Sequence, residues 1–398
     1  MGQTVDSLKL TAAGLRKQHT QMLSRMPQEA VVTALSELGR RWRDPAYPLR
    51  REAEAWQEPF PFAMVQVSLD ALLDSLTPEK LGDLIASEDV FEARGYPLIG
   101  HVIAGNTPLL AWVSIIRALL VRSASLVKLP STASAQWAYL FQRSLQEVAP
   151  EIAACVHLVQ WPGGTSALEA TLCAESDLVM AHGSDATLRD LRALCPKEAP
   201  FVGYGHRVSL GVLLPDADAK EAADGFAKDV LLYDQGGCLS PQTVFVVGDG
   251  NKTIHFASLL AEALREKAQK YPLPVRAERA AGAVAEARAL AWMEEGNRLW
   301  EDPARRWTVI ARPRSRFAAS PTFGVVSVQP LAALDDLPEA VSPVADRVQG
   351  CAVAGGLTDG GYLPGISLLC GPGELQAPPL AWRQDGRDVL RVLLPPRR

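Results

Sequence analysis

The sequence predicts an α/β protein with two three-layer α/β domains and a helical segment at its N-terminus. Three observations carry that prediction. Residues 1–90 place apolar side chains mostly at helical spacing. From about residue 95, short apolar runs alternate with amphipathic stretches across polar or Gly-rich turns, the pattern of a parallel sheet with helices on its faces. After residue 206 the same alternation begins again. The expected divisions are therefore 1–90, 91–210, 211–350 and a Gly/Pro-rich tail, 351–398, packing back on the core.

In the first segment Val31, Ala34, Leu35, Leu38 and Trp42 form one helix face, which Asp44-Pro45 ends. Ser68–Leu76 reads as a second helix. Thr77-Pro78-Glu79 starts a third: Thr caps, Pro is preset for the first turn, and Glu suits the positive helix end. In the second block the expected strands are 98–103, 125–129, 156–161 and 177–181. A helix begins at Thr107-Pro108, and others follow Ser131, the turn 162–165 and the turn 182–185. In the third block strands are expected at 207–214, 243–247, 308–311 and 324–329, with helices at 217–232, 252–270 and 282–299, and a connector at 272–274. The tail carries short strands at 349–354 and 366–369.

The chain has 398 residues and a formal net charge of −5, from 40 Lys+Arg against 45 Asp+Glu. With 48% hydrophobic and 21% charged residues it has the composition of a globular protein and not of a disordered one. Mild acidity without a basic face argues against a nucleic-acid partner. No apolar secretory core stands near the start. The most apolar stretch, Thr107–Val121, is shorter than a membrane span needs and carries Arg117, so it reads as a buried helix. The 6 cysteines are scattered with no CxxC pair and no metal-ligand spacing. That usage fits a reducing cytoplasm and no metal site. GxGxxG, P-loop, HExxH and GxSxG patterns are all missing.

Parallel α/β sheets bind ligands beyond the carboxyl ends of their strands. Asn106, Lys128, Ser131, Gly163, Gly183 and Ser184 all fall at such ends. The segment Asp234–Pro241, DQGGCLSP, sets Cys238 directly after two glycines between a helix and a strand. Such a cysteine is either a small buried hydrophobe or a nucleophile whose own N–H donates to a developing oxyanion. Asn106, before Thr107-Pro108, is either a capping residue or an oxyanion donor. His206 is either structural or a proton donor.

The ordered motifs Asn106-Thr107-Pro108-Leu109-Leu110, Leu126–Ser131, Trp161–Gly164, His182-Gly183-Ser184, Gln235–Cys238 and Thr322-Phe323-Gly324 resemble those of the aldehyde dehydrogenase superfamily over about residues 95–330. The words at 203–213, at 234–242 and in the tail from Cys370-Gly371-Pro372-Gly373 through Gln376 to Asp385-Gly386 resemble the LuxC-like acyl-CoA reductases of luminescence-type operons. The resemblance implies an aldehyde dehydrogenase-like fold, with a dinucleotide-binding domain at 91–210 and a catalytic thiol domain at 211–350. It makes Cys238 the nucleophile and Asn106 the oxyanion donor. Lys128 would bind the adenosine ribose, and Gly183-Ser184 would approach the pyrophosphate at a helix start. Gly163 belongs to the same cofactor edge. A homo-oligomer is also implied.

Two departures shape the implied chemistry. Gly203 stands where aldehyde oxidisers carry the glutamate that activates a deacylating water, so an acyl-enzyme would persist for hydride or thiol attack. Pro321 replaces a glutamate that helps hold the nicotinamide ribose. At Ser131, NAD-preferring relatives often place Glu; a neutral hydroxyl removes repulsion toward a 2′-phosphate and favours NADPH. The expected function is NADPH-dependent reduction of an acyl-CoA or acyl-carrier thioester to a fatty aldehyde, with an acyl-protein synthetase or acyltransferase as a candidate partner. The alternatives are a CoA-acylating dehydrogenase working oxidatively and a non-catalytic scaffold of the same fold.

Overall fold

The apolar spacing of residues 1–90 folds as helices at Val5–Gln21, Gln28–Arg43, Pro48–Glu54, Phe62–Ser75 and Pro78–Ser87. This is a computed structural model that describes residues 3–57, 60–132, 134–272, 278–356 and 365–396; part of the expected connector at 272–274 lies outside them. Thr77 caps its helix as expected, accepting the Lys80 N–H. The helix expected at 68–76 starts earlier, at Phe62, because Phe62 and Val65 extend its buried face upstream of Leu69 and Leu72.

Two compact units divide the chain: residues 1–206 with 379–398, and residues 207–378. The helical segment thus shares a unit with the block after it, and the tail is divided between the units at 378/379.

The first unit is built on five strands in the order β3-β2-β1-β4-β5. They are β1 (Leu98–Val102), β2 (Ala124–Leu129), β3 (Val156–Gln160), β4 (Leu178–His182) and β5 (Phe201–Tyr204). Every pairing is parallel. The sequence reading did not anticipate β5, where Gly203 interrupts a short apolar run. The helix expected from Thr107-Pro108 begins only at Leu110 and runs to Leu120. Leu109, at φ −97° and ψ 5°, is still outside helical geometry, and residues 107–109 make the turn. That helix is buried on most sides, as its apolar run predicts. Its Arg117 guanidinium donates to the carbonyls of Leu380 and Trp382, at 2.8 and 3.1 Å. The Glu88 carboxylate accepts the N–H groups of Val389, Leu390 and Arg391. These buried charges pin the chain's last segment to the first unit. A charge out of water must be hydrogen-bonded this way to be tolerated.

The second unit carries seven strands in the order β12-β11-β6-β7-β10-β9-β8. They are β6 (Val208–Leu213), β7 (Pro241–Val247), β8 (Arg298–Glu301), β9 (Thr308–Ala311), β10 (Val325–Leu331), β11 (Val348–Ala354) and β12 (Leu368–Cys370). All pair in parallel except edge strand β8, which runs antiparallel to β9. The helix expected at 282–299 occupies Glu278–Met293 instead. Gly296, at φ +86°, reverses the chain, and the Asn297 side chain donates back to the Ala291 carbonyl. This frees Arg298–Glu301 to form β8.

Candidate active site

The helix Ala219–Leu231 ends where Tyr233, Asp234 and Gln235 take φ values of 56°, 53° and 58°. Left-handed backbone costs a non-glycine residue roughly 1–2 kcal/mol, so such a run persists only where its surroundings fix it. A second left-handed run faces it: Thr322, Phe323 and Gly324, at φ 72°, 58° and 74°. The Phe323 N–H donates to the Asp234 carbonyl at 3.1 Å and joins the two. At Gly324 a Cβ would sit 2.4 Å from the Arg306 carbonyl oxygen, so only glycine fits that turn.

Gln235 is the core of this brace. Its side-chain amide donates to the carbonyls of Pro241 and Val325, each at 2.9 Å. The Ser320 hydroxyl donates to Val325 O at 2.6 Å and accepts the Thr322 N–H. Cys238 follows in a turn in which the Ser240 N–H reaches Gly237 O at 3.0 Å. The Cys238 carbonyl accepts the Ser209 hydroxyl at 2.9 Å. The thiol residue is thereby held just before β7 and remains only half-buried.

The other cysteines are either less accessible than Cys238 or carry a raised thiol pKa. Cys155, Cys173, Cys195 and Cys351 are buried. Burial pushes the Cys155 thiol up to about 12. Cys370 is half-buried like Cys238. Burial first, then the carboxylates of Asp229 and Glu374, pushes its thiol to about 12 as well.

In the first unit the remaining candidates gather at the carboxyl edge of the sheet. Neighbours β1 and β4 are where the strand order reverses direction, the point at which open α/β sheets take ligands. Asn106 lies exposed in the loop after β1. Lys128 stands next to last in β2, opposite Val102 and Val159. It is 7% exposed; its carbonyl accepts the Ile103 N–H at 3.0 Å, and its side chain makes no hydrogen bond or ion pair among the described residues. Burial lowers its pKa, with Glu169 opposing that shift. Ser131 is exposed and donates to the Trp161 carbonyl at 3.2 Å, tying the loop after β2 to the end of β3. Gly163 follows β3 with open space around it. At Gly183, after β4, a Cβ would meet the Thr187 side chain at 3.3 Å. Ser184 caps the helix Asp185–Leu194 by accepting the Thr187 N–H. Asp185 occupies that helix's first turn and accepts the His206 N–H at 3.0 Å.

This edge fits a dinucleotide in its chemistry. A lysine ammonium without an acceptor among the described residues, an exposed hydroxyl and the start of the helix Asp185–Leu194 are donors that ribose hydroxyls and a diphosphate need.

A family model described as acyl-CoA reductase (LuxC) matches residues 23–391. The chain belongs to that family. Among its relatives, the long-chain acyl-protein thioester reductase of Vibrio harveyi is 28% identical over 241 residues, 55% of this chain and 50% of that protein. The protein of the same name from Photorhabdus laumondii is 26% identical, over 70% of this chain and 62% of its own length. The chain therefore spans only about half to two-thirds of these curated relatives. In fold it is similar to a methylmalonate-semialdehyde dehydrogenase of Sinorhizobium meliloti crystallised with NAD, with a TM-score of 0.73 at 13% identity over 99% of this chain and 89% of that one. A succinic semialdehyde dehydrogenase of Streptococcus pyogenes crystallised with NADP+ gives 0.72 at 14% identity over 93% and 87%. The aldehyde dehydrogenase-like fold is thus established.

Within this LuxC-family chain, Gly203 lies in β5 against Ala181. A Cβ there would meet the side chains of Phe201 and Leu188 at 3.1 and 3.2 Å, so the position is closely packed. Pro321 stands immediately before the second left-handed run, between Ser320 and Thr322. The sequence reading missed the roles of Gln235, Ser320 and Phe323 in the brace. A polar, non-glycine residue immediately before a glycine pair was the available signal for Gln235.

Proposed function

We propose that this chain reduces a long-chain acyl thioester to the free aldehyde, with Cys238 as nucleophile and NADPH as reductant. The observation that carries the reading is the half-buried Cys238 thiol, held by a doubly braced, strained turn. Structures keep such strain where it positions a reacting group.

The Cys238 thiolate attacks the thioester carbonyl carbon, the donor thiol leaves with a proton, and an S-acyl enzyme remains. Asn106 and the Cys238 N–H donate to the oxyanion formed on the way. NADPH, when bound, supplies hydride to the acyl carbon. Breakage of the carbon–sulfur bond then releases aldehyde and restores the thiolate. Lys128, Ser131, Gly163, Gly183 and Ser184 would hold the cofactor, and the neutral Ser131 hydroxyl leaves room for a 2′-phosphate. Gly203 leaves the acyl-enzyme without the oxidisers' base, which protects it from hydrolysis.

The family description points to acyl-CoA as the donor, and the relatives' names point to an acyl protein. We read the chemistry as common to both, with a second protein carrying the acyl group in the latter case. Incubation with palmitoyl-CoA and NADPH should yield one aldehyde per NADPH consumed, and Cys238→Ser should yield none. Fatty acid as the product, or undiminished aldehyde from the variant, would overturn the reading.

A further inference from the structure

The tail words from Cys370 to Gln376 drew the LuxC resemblance, yet no step above uses them. They fold as a loop that reaches the nucleophile's turn from within the same unit. The Gln376 side-chain amide donates to the Ser240 hydroxyl at 2.9 Å. Both residues are buried, Gln376 at 5% and Ser240 at 1% exposure. Ser240 is two residues beyond Cys238, and its N–H closes the turn onto Gly237. The loop that presents Gln376 is anchored on the helix Ala219–Leu231. Asp229, wholly buried in that helix, accepts the Gly373 N–H at 2.7 Å. A Cβ on Gly225 would lie 2.6 Å from Pro372, so the loop and helix backbones approach as closely as glycine permits.

We propose that Gln376 is a positioning residue for Cys238, acting through Ser240, and that Asp229 holds it in place by anchoring the 371–376 loop. This rests on Cys238 being the nucleophile. The physical reason is directional. Ser209 fixes the Cys238 carbonyl, Gln235 ties the turn's entry to the Pro241 carbonyl, and the Gln376–Ser240 bond fixes the side chain that stands first on the exit. A loosened exit lets the Cys238 peptide swing, and an oxyanion donor must be aimed before the reaction.

The test is single-turnover acylation by palmitoyl-CoA in Gln376→Met, which keeps volume and deletes the donor. Ser240→Ala, which removes one oxygen, and the double variant complete the cycle. Each single variant should acylate at least about fivefold more slowly, with KM for palmitoyl-CoA within about twofold of wild type. The double variant should be no slower than the slower single one, because one bond is lost in all three. A wild-type rate in Ser240→Ala, or losses that multiply in the double variant, would overturn the proposal, even if Gln376→Met failed to fold. Cys238→Ser is measured alongside. Full acylation in that variant would mean that the nucleophile assignment itself had failed, a result separate from any effect at Gln376.

Discussion

Gln235→Glu replaces one atom group and keeps the shape, yet it should damage the protein at least as much as Gln235→Ala. The Gln235 side-chain amide donates to two buried carbonyls, Pro241 O and Val325 O, each at 2.9 Å. Alanine leaves both without this donor. Val325 O keeps the Ser320 hydroxyl, so at roughly 1–3 kcal/mol for a buried group left unsatisfied the loss, carried by Pro241 O, is about 1–3 kcal/mol. Glutamate loses the same donors and sets a carboxylate against two carbonyl oxygens at a residue that is 1% exposed. It must repel them or bind a proton. Urea unfolding at pH 8 should place Gln235→Glu at or below Gln235→Ala in stability, with both well below wild type. Acylation of whatever folded protein remains should be slowed, because the strained run 233–235 loses its main tether. A Gln235→Glu enzyme with wild-type stability and acylation would refute the tethering role of the amide.

Asn106→Ala should slow single-turnover acylation about 100- to 1000-fold, the usual worth of one oxyanion donor, without weakening NADPH binding. Ser131→Glu should lower the ratio of kcat/KM for NADPH over NADH at least about tenfold, since a carboxylate beside the ribose repels a 2′-phosphate and can bind two ribose hydroxyls. Acid should weaken the first unit through its buried histidines. Burial lowers the pKa values of His101 and His182 to about 3, from 6.5 when unfolded. Folding therefore excludes protons that the unfolded chain binds, and the stabilisation present above pH 6.5 is lost as pH falls toward 3. His101→Gln, which can keep polar contact with Ser114 or Ser125, should flatten the fall in Tm between pH 6.5 and 4.5.

Much of the fold is legible in the sequence because its signals are local. The turn at Thr77-Pro78, the apolar run of the helix Leu110–Leu120 and the strands β1 to β4 each declare themselves within a few residues. Strand β5 does not, since Gly203 interrupts a short half-buried run whose partner is set only by tertiary pairing with β4. Strand β8 was absorbed into a helix because a four-residue edge strand carries too short an alternation to outweigh the helical run before it. The candidate residues at strand ends were legible for the same local reason. The brace around Cys238 was not. It joins residues 235, 320, 325 and 376 through side-chain bonds to backbone and hydroxyl groups, and no spacing rule links positions so far apart.

Peptide-level mass spectrometry of the enzyme after reaction with palmitoyl-CoA alone, quenched in acid before any reductant is added, tests the account most directly. A palmitoyl thioester on Cys238 is expected, lost on addition of NADPH as palmitaldehyde forms. Acylation of Cys370 instead, the other half-buried thiol, or aldehyde formation with no acyl group on any cysteine, would contradict it.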